Sequence, residues 1–373
     1  MKLLKLLFLV YVIIATAAFS DPNTNVPGNI RKPETVKIGL LITDNQSMAA
    51  RHGAEIAILK ANSNGGLNGH PFQLIVRSME GPWGTGSKEA VNLVFEEEVL
   101  AIMGSHNGRN AHLVEQVAAK ARIAFLSAWA SDPTLSQAFI PWYFSCVPND
   151  LQQAAILIEE IYDKRKFLKV ATLSDTSYDS KLAVKSFLKK AAASGKSDPI
   201  QFIYDNTGQD FSDLLEKIEK ADVNCIVLYG QPSSSKKLVQ QIGIKKMKQS
   251  VFGSLGLLNE DQLSDPELKN YEIVVFVSTG HILTQKKLIF RQEYKNKFGH
   301  IPGPVASYAY DGMNIIIEAI LKAGPDRERI SEVLATAKHE GVTGVIQFDE
   351  KGNRIGNEGL MKIKNGVPVA VER

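Results

Sequence analysis

The chain has 373 residues, 44% of them hydrophobic and 22% charged, with a formal net charge of +3. These proportions exclude a disordered or fibrous chain, and the near-neutral balance gives no basis for a nucleic-acid partner. The length is that of two domains.

Residues 1–20, MKLLKLLFLVYVIIATAAFS, place Lys2 and Lys5 before an apolar run that ends in small residues, with Ala18 and Ser20 set for cleavage before Asp21. That is the build of a secretory signal peptide, and the run is short for a membrane span. Residues 21–35, polar and containing proline, are expected to form a tether. The mature protein is therefore expected in the periplasm or another extracytoplasmic space.

After the tether, short apolar runs alternate with helical patterns. VKIGLLI (36–42) is too short and too uniformly apolar for an amphipathic helix, and ARHGAEIAILKANS follows it with apolar residues at helical spacing. FQLIVRSM, a helix over about 87–97, LAIMGS, a helix over about 111–121, and IAFLSA continue the alternation. The rhythm starts again at LKVATLSD and runs through PIQFIYD, CIVLYG, SVFGSLG and EIVVFVS, with helices between. Two further helices, KKLIFRQEYKNKFG and ASYAYDGMNIIIEAILKAG, precede two short strands. This is the pattern of parallel sheets with crossover helices. The expected fold is α/β, with two doubly wound parallel-sheet lobes: 36–147 plus 279–347, and 148–278 plus 348–373. Ligands of such sheets sit at the carboxyl ends of the strands.

The chemical motifs are mostly missing. NSNGGLNG lies after a helix and before a strand, the reverse of a phosphate cradle, so Asn64, Gly65 and Gly66 are expected to form a helix C-cap. GPWGTGSK (81–88) has Ser87 and Lys88 in the wrong order for a P-loop. No GxSxG, HExxH or CxxC occurs, so no catalytic constellation, metal or cofactor is expected. Cys146 and Cys225 both sit in apolar surroundings and are expected as free buried thiols.

What remains is a set of strand-end loops. GSHNGRNAH runs from a strand into a helix, and Asn107, Gly108 and Arg109 supply donors to an anionic group there. SAWASDPTLS presents Ser127, Trp129 as a stacking wall, and Ser131. SDTSYDSK offers Tyr178 as a closing jaw, and Trp83 is placed at the pocket mouth.

Together these segments resemble the type I periplasmic solute-binding proteins of the leucine/isoleucine/valine-binding kind. NSNGGLNGHPFQLIV is similar to that family's N-x-x-G-G-h-x-G signature, and SAWASDPTLS to its S-x-x-[ST]-x-P-x-L segment. CVPNDLQQAAILI, SYAYDGMNIIIEAILKAG and FDEKGN resemble its D-x-x-Q, Y-D-A and D-x-x-G stretches, in the same order. The resemblance implies a three-crossover hinge, closure on a ligand between the lobes, and delivery to the membrane permease of an ABC importer. It implies a monomer without catalysis. It also places Ser131, a backbone contact at Trp129, Tyr178 and Gln231 at the ligand. The hydroxyl expected for a ligand carboxylate falls at Gly108, and the acid expected for a ligand ammonium falls at Leu255, so both are absent. Arg109 or Asn107 is expected to replace the hydroxyl, for an amino-acid-like or other anion-bearing ligand with a flat face. The alternatives are a sensory ligand-binding module without transport and a secreted enzyme on a doubly wound fold.

Overall fold

The computed structural model describes residues 35–137, 141–280, 283–356, 358–365 and 367–371. The expected signal peptide and all of the tether except Thr35 lie outside the described residues.

The chain begins with β1 (Val36–Ile42), α1 (Met48–Ser63), β2 (Phe72–Ser78) and α2 (Thr85–Val91), which runs into a π-helical turn (Asn92–Glu96). Next come β3 (Ala101–Ser105), α3 (Gly108–Ala121), β4 (Ala124–Ser127) and the short β5 (Tyr143–Ser145). These strands form a parallel sheet in the order β2-β1-β3-β4-β5. Its central strand β3, AIMGS, is buried at every position, as the apolar run demands when both faces are covered by helices.

The chain then crosses to a second sheet through α4 (Asp150–Ile158). There follow β6 (Val170–Ser174), α5 (Tyr178–Ala193), β7 (Ile200–Ile203), α6 (Ser212–Lys220), β8 (Cys225–Tyr229), α7 (Pro232–Lys245), β9 (Ser250–Gly253) and β10 (Val274–Ser278). A second crossing leads to α8 (Gln285–Phe298), α9 (Pro304–Ala323), α10 (Arg327–Ala335) and a hairpin of β11 (Lys338–Gly341) with β12 (Gly344–Gln347). A third returns to β13 (Gly359–Lys364) and β14 (Val367–Ala370), completing the order β14-β13-β10-β9-β8-β6-β7.

The result is two α/β lobes joined by three crossings. The second sheet is mixed rather than parallel: β13 runs antiparallel to β10, and β14 antiparallel to β13. β14 follows β13 through a tight hairpin, which can only pair antiparallel, while β13 reaches the edge beside β10 from the third crossing and not from a crossover helix of the same sheet. β5, α4, α10, β11 and β14 are additions to the elements read from the sequence; the three strands are too short, and α10 too polar, to show a pattern.

The NSNGGLNG stretch is a corner. Gly65, Gly66, Asn68 and Gly69 all take positive φ (97°, 62°, 53° and 88°), and a Cβ on Gly66 would strike the His70 carbonyl. α9 packs along α1, and it is apolar nearly all round because it is buried. A Cβ on Gly53 of α1 would meet the Ala306 carbonyl of α9, so glycine is what lets the two backbones approach so closely. Cys146 and Cys225 are unbonded and buried, and burial pushes both thiols up to about 12.

Candidate functional site

The carboxyl ends of β3 and β4 in the first lobe face those of β6, β8 and β9 in the second. Between them lie two adjoining chambers of about 280 Å³ and about 30 Å³. Asn107, Trp129, Asp179 and Gln231 line both. The larger also takes Arg109, His106 and Tyr178, and the smaller takes Ser131, Asp150, Tyr229 and Leu255.

Local sequence explains each placement. Asn107 caps α3, accepting a hydrogen bond from Asn110 N (2.9 Å). Ser177 caps α5 in the same way, so Tyr178 and Asp179 open that helix at the cleft. Asn149 begins α4 with a capping box closed by Gln152, which fixes Asp150 in the first turn.

The lobes are closed on each other. Gly108 N donates to Asp179 Oδ1 (3.1 Å), and the Tyr178 hydroxyl donates to Asp132 Oδ2 (3.1 Å). Further along the interface, two neighbouring carboxylates on the loop after β9 cap two helices of the first lobe. Glu260 accepts from Gly303, Val305 and Ala306 N at the start of α9 (2.9, 2.8 and 3.0 Å), and Asp261 accepts from Ala49 N at the start of α1 (2.8 Å).

The electrostatics of the cleft are acidic. His112 bridges Asp132 Oδ2 (3.0 Å) and Glu115 Oε2 (3.2 Å), and those hydrogen bonds raise its pKa to about 9. It is therefore charged at neutral pH. Burial works against an ionised Asp132, but its bonds to His112 and Thr134 bring the carboxyl below its ordinary value. Asp150 and Asp179 have no such cation. Burial raises Asp150 well above the usual carboxyl range, with Asp179 and Asp132 adding to the rise. Burial lifts Asp179 to about 6, against the pull of the Gly108 N–H. His106 is buried, and burial lowers it to about 4, so it is neutral. Among the described residues no group of three or more His, Cys, Asp or Glu could hold a metal ion.

The sequence pattern of the periplasmic binding protein family matches residues 35–365. The chain belongs to that family. This periplasmic binding protein is 24% identical over 327 residues to the Leu/Ile/Val-binding protein homolog 1 of Brucella abortus, with 85% of this chain and 86% of that protein covered. Its fold is similar to the branched-chain amino acid transporter substrate binding protein LivJ of Streptococcus pneumoniae, in complex with isoleucine. That match has a TM-score of 0.78 at 22% identity and covers 91% of this chain and 99% of the other. A solute binding protein of an ABC transporter from R. palustris, in complex with benzoate, superposes with a TM-score of 0.77 at 15% identity, covering 90% of this chain and 95% of the other.

In this periplasmic binding protein the structure brings Asn107, Arg109, Trp129, Ser131, Tyr178 and Gln231 to the chamber walls. Tyr178 is the first residue of α5 rather than part of a loop. Three expected residues stand elsewhere. Ser127 is fully buried, and its hydroxyl accepts from Ala130 N (3.2 Å), so it shapes the loop under Trp129. Trp83 is 67% exposed and lies under the Arg109 guanidinium, 4.2 Å from ring centre to Cζ. Gly108 lines neither chamber and faces Asp179 with its N–H. The sequence reading missed Asp132, Asp150, Asp179, Tyr229 and His112. A lone Asp in a polar stretch looks like a solvated residue, and only the fold shows that Asp132, Asp150 and Tyr229 are buried beside the half-buried Asp179 and His112.

Proposed function

We propose that the chain is the exported solute receptor of an ABC importer, with lobes at 36–147 plus 279–347 and 148–278 plus 348–373. It traps a small amino-acid-like carboxylate in the cleft, carries out no catalysis, and as a monomer presents its closed form to a membrane permease. Residues 1–20 serve as its signal peptide. The observation that carries this reading is the cleft itself: chambers lined from both lobes and held shut by hydrogen bonds across them. In the larger chamber the Arg109 guanidinium and the Asn107 amide are the groups suited to a ligand carboxylate, and Trp129 supplies a flat wall.

A thermal-shift screen of the purified protein against amino acids, small carboxylates, amides, purines and aromatic acids tests this. One chemical class is expected to raise the melting temperature, the gain in stability being about 2.7 kcal/mol at a hundredfold excess over Kd. Arg109→Ala is expected to weaken a carboxylate hit about tenfold or more. A well-folded protein that responds to none of these classes would overturn the proposal.

A further inference from the structure

We propose that a second cavity between the lobes, behind the contacts of Glu260 and Asp261, binds an apolar chain that ends in a single carboxylate, such as a free medium-chain fatty acid. This site is separate from the cleft and does not depend on what the cleft holds.

The cavity has a volume of about 780 Å³. Small-molecule sites run from roughly 300 to 1,000 Å³. One wall comes from the first lobe, from α8 and the starts of α1 and α9. The other comes from the second lobe, from the loop after β9 and from β13. Among the described residues Asp261 alone lines both this cavity and a chamber of the cleft. The loop after β9 therefore stands between the two spaces.

The lining says what the occupant is. The second lobe presents Leu258, Leu263, Met361 and Ile363, all buried, as an apolar floor. The first lobe presents Lys287 and Arg291, one turn apart on α8. Lys287 donates to the Gly280 carbonyl. Among the described residues neither cation is paired with a carboxylate, and Arg291 has no hydrogen-bond partner. Lys269 adds a third positive charge from the second lobe. The two carboxyls on the lining are already engaged. Glu260 holds the Gly303, Val305 and Ala306 N–H groups, and Asp261 holds that of Ala49.

Two like charges one turn apart repel each other. Burial, with the charge of Arg291, pushes the Lys287 ammonium down to about 8, against the pull of Asp311. A carboxylate head would supply the missing counter-charge. The Arg291 fork can hold both of its oxygens while Lys287 supplies a further donor, and the chain would cover the apolar floor. Glu260 and Asp261 on the same lining disfavour a multiply charged head such as a phosphate. An uncharged chain would cover the floor but leave the cations bare.

Calorimetric titration of octanoate into the purified protein tests the site, with butanoate as the control for the chain and octan-1-ol as the control for the charge. Octanoate is expected to bind once per chain. Butanoate, four methylenes shorter, should bind about 100-fold more weakly. Octan-1-ol should bind about tenfold more weakly or worse. Arg291→Gln is expected to weaken octanoate about tenfold or more, and Lys287→Gln is the second variant in case Arg291→Gln melts early. Arg109→Ala, which disturbs the cleft, is expected to leave octanoate affinity unchanged. Octanoate lost in Arg109→Ala but kept in a folded Arg291→Gln would lie in the cleft, which would overturn the cavity site and leave the cleft reading intact. Folded protein that ignores octanoate, or that binds all three probes equally, would overturn the site as well.

Discussion

Arg354→Met is expected to destabilise the protein by roughly 3–5 kcal/mol, read as a lower urea midpoint with an unchanged slope. Arg354 is completely buried on the third crossing, and among the described residues it is the largest side chain so placed. Its guanidinium donates to Cys146 O (2.7 Å), Thr343 Oγ1 (3.0 Å), Thr343 O (2.7 Å) and Val345 O (2.9 Å). It therefore ties the first crossing, just after β5, to the β11–β12 turn. Asp311 on α9 fixes the other side of that turn, accepting from Val342 N, Thr343 N and Thr343 Oγ1 (2.8, 2.8 and 2.6 Å). Methionine fills similar space but donates nothing, so three carbonyls and a hydroxyl lose their partner in a dry site. The same change leaves the carboxylate of Asp311 with less positive charge nearby. A loss below about 1 kcal/mol would mean that the crossings are not clamped by this residue.

The second large effect concerns closure. Glu260→Ala is expected to weaken the binding of a cleft ligand by about 10- to 100-fold, because three N–H groups at the start of α9 lose their acceptor only in the closed form. A pH dependence follows from the same contact. Burial, with the charge of Asp261, pushes Glu260 up to about 8 from an ordinary 4.5, against the pull of the Ala306, Val305 and Gly303 N–H groups. Asp261 is lifted by burial to about 6. Opening the lobes returns both carboxyls to water and toward their ordinary values, so the closed form holds protons that the open form releases. The favourable contribution to closure is complete below about 4.5 and is lost as the pH rises to about 8. Ligand affinity should fall across that window by up to about tenfold per pH unit for a single group. Glu260→Gln should flatten the fall above pH 6, where Asp261 has already ionised. An affinity constant from pH 6 to pH 8 in the native protein would contradict this account of the latch.

Much of the fold was legible because it depends on runs of residues. Strands buried on both faces must be apolar throughout, as in VKIGLLI and CIVLY, and the helices between them must repeat at helical spacing. The pairing of β13 and β14 was not legible, because strand direction is set by which sheet the chain returns to. The walls of the cleft were partly legible, since strand ends are fixed by the strands. Hence Asn107, Trp129, Ser131 and Tyr178 could be picked from the loops. Its charge was not legible. The acid was sought at Leu255, which is buried against the small chamber, whereas the carboxyls that face it come from α4 and α5, at Asp150 and Asp179. Burial gives those residues their chemistry, and burial is a property of packing between segments far apart in the chain. The roles of Glu260 and Asp261 are hidden for the same reason, because each caps a helix of the opposite lobe.

Mass spectrometry under non-denaturing conditions, on the protein purified from an exporting host and then mixed with the hits of the thermal screen, tests the central claim most directly. The account predicts one small molecule per chain, displaced by competing members of the same chemical class and bound more weakly in Arg109→Ala. Chains that stay bare with every compound, while remaining folded, would contradict it.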